Sequence, residues 1–222
     1  MYFGYICKTD HGGDLRLDIY NLFSGSWGAN CYVLISKDSQ GKLHSAVIDP
    51  SAPAEKIASF LSEMSASLDY IVLTHGHFDH IMSLDELRAL THAPAYIHEG
   101  DGEMLTDGNK NAYSFFFGDD KKWLPANKLL KNNDELPLGD EKIKVISVPG
   151  HSKGSICLLC SDFIITGDTL FANNIGRCDL YGGNMMQLYS SLGKLSEYNK
   201  NLVIYPGHGE ANTLGNALSN VM

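Results

Sequence analysis

The chain is 222 residues long, 44% hydrophobic and 19% charged, which is the balance of a soluble globule with ample length for a buried core. Its net charge of −9 speaks against a nucleic-acid or anionic-membrane surface, because phosphate binding needs clustered Lys and Arg. No apolar run approaches a membrane span, Met1 to Lys8 lack a signal-peptide pattern, and five cysteines do not suggest a disulfide framework. The expectation is a cytoplasmic protein with a small-molecule substrate, its oligomeric state left open.

The residues through His11-Gly12-Gly13 read as a loose or edge segment. Leu15 to Tyr20 alternates like a half-buried strand, and the turn Ser24-Gly25-Ser26-Trp27-Gly28 leads to a second strand, Cys31 to Ile35. Gly41 marks a hairpin turn, and Ser45 to Ile48 forms a third strand that stops at Asp49-Pro50. This strand-rich start, with its short turns, looks antiparallel. Pro53 opens a helix from Ala54 to about Ser65, with Ile57, Phe60, Leu61 and Met64 on one face.

Tyr70-Ile71-Val72-Leu73 is an apolar, β-branched run of the kind a buried strand uses, and Ile81, Leu84, Leu87 and Leu90 then recur at helical spacing. A short strand surrounds Ala95-Tyr96-Ile97. Residues 100–134 are the least regular stretch and hold Tyr113-Ser114-Phe115-Phe116-Phe117. Such an aromatic segment reads either as a lid or side wall over a site, or as small helices packed on themselves. Regularity returns with strands at Lys142 to Val148, Ser155 to Cys160 and Phe163 to Thr166. A helix from Met185 to Tyr198, a strand from Leu202 to Tyr205 and a terminal helix from Glu210 to Asn220 complete the chain. Without a linker or low-complexity segment, residues 1–222 read as one domain of two similar halves.

The stretch between the Tyr70–Leu73 strand and its helix carries the chemistry. Thr74-His75-Gly76-His77-Phe78-Asp79-His80 places four potential metal ligands, in the pattern H-x-H-x-D-H, on a turn at the carboxyl end of a strand. Three more candidates stand at strand ends beside a glycine: His151 after Pro149-Gly150, Asp168 after Thr166-Gly167, and His208 after Pro206-Gly207. Singly, each is more often a turn residue. Together they make five His and two Asp, enough for two metals, and imidazole with carboxylate suits zinc, iron or manganese. Cys157 and Cys160 have C-x-x-C spacing but face opposite sides of a strand, and so read as core cysteines. His11, His44, His92 and His98 have no ligand context.

On these motifs, and on Gly167-Asp168-Thr169-Leu170-Phe171, Ile175-Gly176-Arg177 and Pro206-Gly207-His208-Gly209, the chain resembles the metallo-β-lactamase fold hydrolases. It is most similar to their small hydroxyacylglutathione hydrolase, or glyoxalase II-like, branch. The resemblance implies an α/β fold, a four-layer αβ/βα sandwich of two sheets with helices outside. It implies that His75, His77 and His151 hold one metal, that Asp79, His80 and His208 hold a second, and that Asp168 bridges them. Asp49 would sit behind these ligands and orient one, or else be a turn residue before Pro50. Arg177 would line the substrate pocket or anchor its own loop.

The chemistry expected of such a site is hydrolysis by a hydroxide bridging two divalent ions, zinc foremost with iron or manganese as alternatives, and with Asp79 orienting the hydroxide and passing a proton. No Ser-His-Asp or Cys-His nucleophile is evident. Thioesters of the glutathione type are the expected substrates, although the chain ends too soon after His208 to show the helical extension with which glutathione-thioester hydrolases hold their carrier. The alternatives are a mononuclear iron persulfide (sulfur) dioxygenase and a lactonase of the same fold. Lactam hydrolysis is less favoured, because Asp168 completes a bridging set that lactamases do not use. Flavodiiron members of the fold replace the residue at His77 with an acid, and nuclease members add basic parts absent here.

Overall fold

The computed structural model describes residues 17–22 and 28–222. His11, Leu15, Arg16 and most of the Ser24–Gly28 turn lie outside the described residues. Two six-stranded sheets face each other with helices on their outer sides, an αβ/βα sandwich. The first sheet runs β1 (Leu17–Asn21), β2 (Tyr32–Lys37), β3 (Leu43–Ile48), β4 (Ser67–Leu73), β5 (Ala95–His98) and β6 (Lys128–Leu130) in chain order. Its first three strands pair antiparallel and the rest pair parallel. Parallel neighbours need crossovers; α1 (Ala54–Glu63) and α2 (Leu84–Thr91) supply the first two, and the segment 99–127 the third.

In the second sheet, β7 (Glu135–Leu138), β8 (Glu141–Ser147), β9 (Ile156–Leu159) and β10 (Phe163–Gly167) form an antiparallel meander. After the short helix α3 (Tyr113–Phe117) of the first half, the second half carries α4 (Met185–Leu195), which crosses over so that β11 (Val203–Pro206) lies parallel to β10. β12 (Asn212–Thr213) and α5 (Leu214–Ser219) close the chain. Among the described residues no helix is long and apolar enough to cross a membrane.

Period-two alternation divides the apolar residues into three layers. Tyr32, Leu34, Ala46, Ile48, Tyr70 and Val72 point between the sheets, where they meet Val145, Leu158, Phe163 and Ile165. Val33, Ile35, Val47, Ile71 and Leu73 point outward onto Ile57, Phe60, Leu84 and Leu87 of the helices. On the second sheet, Ile146, Cys157, Ile164 and Ile204 pack beneath Leu192, Leu195, Leu214 and Ala217. Ile71 and Leu73 are wholly buried, a burial worth about 1.5–3 kcal/mol each. Truncating Ile71 to alanine would cost about 2–5 kcal/mol by opening a cavity under α1 and α2. Cys157 and Cys160 fall in different layers, as strand alternation requires.

The structure departs from the sequence reading at element ends. The terminal helix begins at Leu214 rather than Glu210, because Asn212 and Thr213 add to the sheet and Thr213 Oγ1 accepts from Asn216 N–H at 3.3 Å, capping the helix there. α2 starts at Leu84, since residues 78–80 form a 3-10 turn, and Leu90 lies off its buried face at 54% exposure. The short strands β6 and β7 were not anticipated; β7 is an edge strand that tolerates Pro137. The 100–134 stretch is ordered by a 3-10 turn (Gly102–Thr106), α3 and β6. Its aromatics do two things at once: Tyr113 stacks on Phe117, and both touch Phe78 of the His-rich turn.

Candidate metal centre

All seven residues singled out as ligands converge at one end of the sandwich. β4 ends at Leu73, and the following turn carries His75, His77, Asp79 and His80. The β8–β9 loop brings His151, β10 brings Asp168, and β11 brings His208. Two groups of three have their ligand atoms within 4.8 Å of one another: His75, His77 and His151, and Asp79, His80 and His208. His75 and His80 are fully buried, and His77 and His151 are 3% exposed.

Hydrogen bonds behind the rings decide which nitrogen faces inward. His80 Nδ1 lies 2.9 Å from Asp49 Oδ2, so Nδ1 carries the proton and Nε2 points in, 3.2 Å from His208 Nε2. His151 Nδ1 donates to the Arg177 carbonyl at 2.8 Å, leaving Nε2 2.9 Å from His77 Nδ1. Thr74 Oγ1 gives its proton to Asp49 Oδ2 (2.6 Å) and can accept from His75 Nδ1 at 3.1 Å. His75 Nε2 is then a buried acceptor with no hydrogen-bond partner, as is Asp168 Oδ1. Asp168 stands between the groups, its Oδ2 3.6 Å from His151 Nε2 and 3.5 Å from His208 Nε2, and its Oδ1 3.3 Å from His80 Nε2.

Burial, then the neighbouring imidazoles, hold His75 well below its ordinary pKa, and burial and His151 bring His77 down to about 3. At Asp168 and Asp79 burial pushes upward, but the surrounding imidazoles outweigh it and both carboxyls lie low. His80 goes the other way: burial opposes its charge, yet Asp168, Asp79 and Asp49 raise it well above normal. His75 and His77 are therefore neutral, as ligands of a divalent cation must be, whereas the carboxylates favour a proton on His80 and His208 that a bound cation would displace. A buried set of acids with unpartnered acceptor atoms also calls for positive charge at its centre. The donor set fits two metal ions, and Asp168 is placed to touch both.

Asp49, at the end of β3, is fixed by Thr74 N–H (2.7 Å) and faces His80 Nδ1. Asp49 also groups with His75 and His80 within ligand distance, but its oxygens are already engaged by Thr74 and His80 Nδ1. The cavity in front of the cluster is about 330 Å³ and is lined by Phe78, Ala112, Phe116, Phe171 and Leu180 together with His77, Asp79, His151, Asp168, Arg177 and His208. Its volume suits a small ligand. Arg177 lines it as anticipated, but its guanidinium is held by Asp179 through two bonds of 2.6 and 2.7 Å. Of the remaining histidines, His44 bridges Asp38 and Asp69, His92 ends α2 and His98 meets Ser147 Oγ.

Known proteins share this fold. The family model of the metallo-beta-lactamase superfamily matches residues 25–208. The chain belongs to the metallo-beta-lactamase superfamily. The "Probable metallo-hydrolase YqgX" of Bacillus subtilis is 35% identical over 184 residues, covering 82% of this chain and 85% of that relative. Among solved structures, the BLEG-1 B3 metallo-beta-lactamase superposes with a TM-score of 0.83 at 30% identity, covering 91% of this chain and 97% of BLEG-1. The di-iron-bound form of TTHA1623 gives 0.76 at 28% identity, covering 89% and 96%.

The 100–134 stretch, read as a lid or side wall or as self-packed helices, supplies Ala112 and Phe116 to the cavity; the sequence reading did not place Phe78, Phe171 or Leu180 in its wall, nor single out a buried carboxylate, Asp101. Those three residues share no local signature, because the wall is assembled from segments far apart in the chain. Asp101 did carry a signal: Gly100-Asp101 follows strand β5 as Gly167-Asp168 ends β10.

Proposed function

We propose that this chain is a two-metal hydrolase of small acyl thioesters. The observation that carries the reading is Asp168, whose two oxygens lie between two three-residue ligand sets. The di-iron form of TTHA1623 supports two ions, and the name of YqgX supports hydrolysis. Zinc is the proposed metal, since five imidazoles with two carboxylates suit it, and iron is the alternative the same donors admit.

His75, His77 and His151 would hold one ion, Asp79, His80 and His208 the other, with Asp168 shared. The pair would supply Lewis acidity toward a carbonyl and water activated near neutral pH. Asp79, partly open to the cavity, orients the attacking water and accepts its proton on the oxygen turned away from the ligand set, its Oδ2 facing His208 Nε2 at 3.3 Å. Phe78, Phe116, Phe171 and Leu180 seat an apolar acyl group and exclude bulk water. Apart from the ligands, the only titratable side chain lining the cavity among the described residues is Arg177, already paired to Asp179. A site with no dedicated general acid suits a leaving group that departs unprotonated, which a thiolate does and an alkoxide does not.

The test is a screen of zinc- and iron-loaded protein against acyl thioesters, lactones, a β-lactam and a persulfide. Thioesters are expected to turn over fastest. A β-lactam is the second reading, favoured by the 30% identity to BLEG-1, and faster lactam turnover would replace the thioester assignment. Oxygen-dependent persulfide consumption with a single iron would replace the two-metal reading, which the complete Asp79, His80 and His208 set argues against.

A further inference from the structure

We infer that Asp101 is a positioning residue for the first ligand set alone. This rests on the two-set reading of the site and adds a residue to it. Asp101 is fully buried at the start of the 3-10 turn after β5. Its Oδ2 accepts from Ser152 Oγ at 2.6 Å and from Gly76 N–H at 3.2 Å, and its Oδ1 accepts from Gly154 N–H at 2.6 Å. Gly76 lies between His75 and His77, and Ser152 and Gly154 follow His151 directly. One carboxylate therefore ties together the two loops that carry all three residues of that set.

Beside this carboxylate, Ile156 N–H donates to the Thr74 carbonyl at 2.9 Å, and within the His151 loop Ser152 meets Ser155 Oγ through its N–H at 3.0 Å and its hydroxyl at 2.7 Å. The fit is close: a side chain on Gly154 would run into Asp101, with Cγ 2.7 Å away. The second set has its own carboxylate. Asp49, at the end of β3, bonds His80 directly and reaches the first set only through the Thr74 hydroxyl, which meets His75 Nδ1 at 3.1 Å. β3 and β5 flank β4 on either side in parallel, so their carboxyl ends deliver one acid to each side of the His-rich turn. Replacing Asp101 by Asn leaves one acceptor oxygen and an amide for three donors. At least one backbone N–H then loses its partner, and the His77–His151 separation is no longer fixed.

Loss of a residue that orients ligands typically weakens metal binding about 10–100-fold. The experiment measures zinc affinity by competition with a chromophoric chelator in two full-length backgrounds. His208→Ala leaves the first set complete, and His77→Ala leaves the second. Asp101→Asn is expected to weaken zinc binding about 10–100-fold in the His208→Ala background and by less than about twofold in the His77→Ala background. Equal losses in both would show a general folding role, and no loss in either would show no role; each result overturns the inference. Should Asp101→Asn fail to fold by circular dichroism, Ser152→Ala in the same backgrounds decides by the same criterion, with a smaller loss confined to the first set. A wild-type chain that binds no zinc overturns the two-set reading and this inference with it, whereas wild-type binding of two ions with indifferent Asp101 variants overturns the inference alone.

Discussion

Gly207→Ala should disable the site without replacing any of its proposed ligands. Gly207 follows β11 and is bracketed by backbone bonds, its N–H to the Gly167 carbonyl at 2.8 Å and its carbonyl to Asn30 N–H at 2.7 Å. Its φ lies outside the left-handed region, so alanine meets no backbone objection. The obstacle is space. A methyl group there would fall inside the envelope of Asp168 Oδ1, 2.7 Å from His80 Cε1 and 3.1 Å from the Gly167 carbonyl carbon. With ordinary carbon contacts near 3.5 Å, the His80 ring must retreat by roughly 0.8 Å and the Asp168 carboxylate by more. His80 cannot turn freely, because Asp49 holds its other nitrogen. Overpacking of this kind costs about 1–3 kcal/mol, and a misplacement of about 1 Å at a reacting centre costs on the order of 10²-fold in rate. The assay reads metal content per chain, thioester turnover and melting temperature. Gly193→Ala is the control: it sits inside α4, its added methyl has nothing within 4 Å, and it should stabilise the fold by about 0.5–1 kcal/mol. Two bound metals and near-normal turnover in Gly207→Ala would refute the steric argument and the placement of Asp168 against His80.

Asp168→Ala should lower metal content from about two ions per chain to one or fewer, since a shared carboxylate serves both; metal analysis that finds two would remove its bridging role. Asp79→Asn should depress kcat far more than it raises KM, because its proposed work is on the attacking water, and a fully loaded variant with wild-type kcat would withdraw that role. His44, whose pKa is raised first by its bond to Asp69 at 2.6 Å and then by Asp38, should contribute stability below the unfolded histidine value of about 6.5. That contribution fades as pH climbs through the raised folded value. His44→Asn should therefore cost about 0.5 kcal/mol near pH 6, the size of a solvent-screened pair, and less near pH 9, which urea titrations at the two pH values can measure.

Where side chains repeat with a period, the sequence was a good guide. β2, β4 and β10 are apolar on both faces because both faces are covered, and α1 shows its buried stripe of Ile57, Phe60 and Leu61 plainly. The residues that converge at the candidate site were legible for a different reason: a His or Asp beside a glycine at a strand end is a local pattern, and it repeats around the site. What stayed hidden depends on pairing across the sheet. β6 is the three-residue run Lys128–Leu130, a strand only because β5 lies beside it. β7 reads Glu-Leu-Pro-Leu, and its Pro137 is acceptable only at an edge. Asp101 escaped notice because its partners, Gly76, Ser152 and Gly154, contribute backbone groups and a hydroxyl that no spacing rule marks.

The cavity's composition bears on how selective the proposed hydrolase can be. Its wall is Phe78, Phe116, Phe171 and Leu180, and α3 contributes Phe116 through an aromatic cluster anchored on Phe78, with ring centroids 5.3 Å apart. Phe78 belongs to the same turn as His75, His77, Asp79 and His80, so on the thioester reading the acyl seat and the metal centre would share one piece of backbone. Its one lining cation among the described residues, Arg177, has its guanidinium occupied by Asp179 and its carbonyl occupied by His151. Its side chain thus completes a loop, and its backbone fixes a ligand. An apolar wall discriminates weakly, about 10–200-fold per methylene, because no buried polar group is left unpaired by the wrong substrate. On the thioester reading, preference should rise gradually with acyl length until the roughly 330 Å³ cavity is filled, and an acyl chain ending in a carboxylate should be rejected for want of a free cation to meet it.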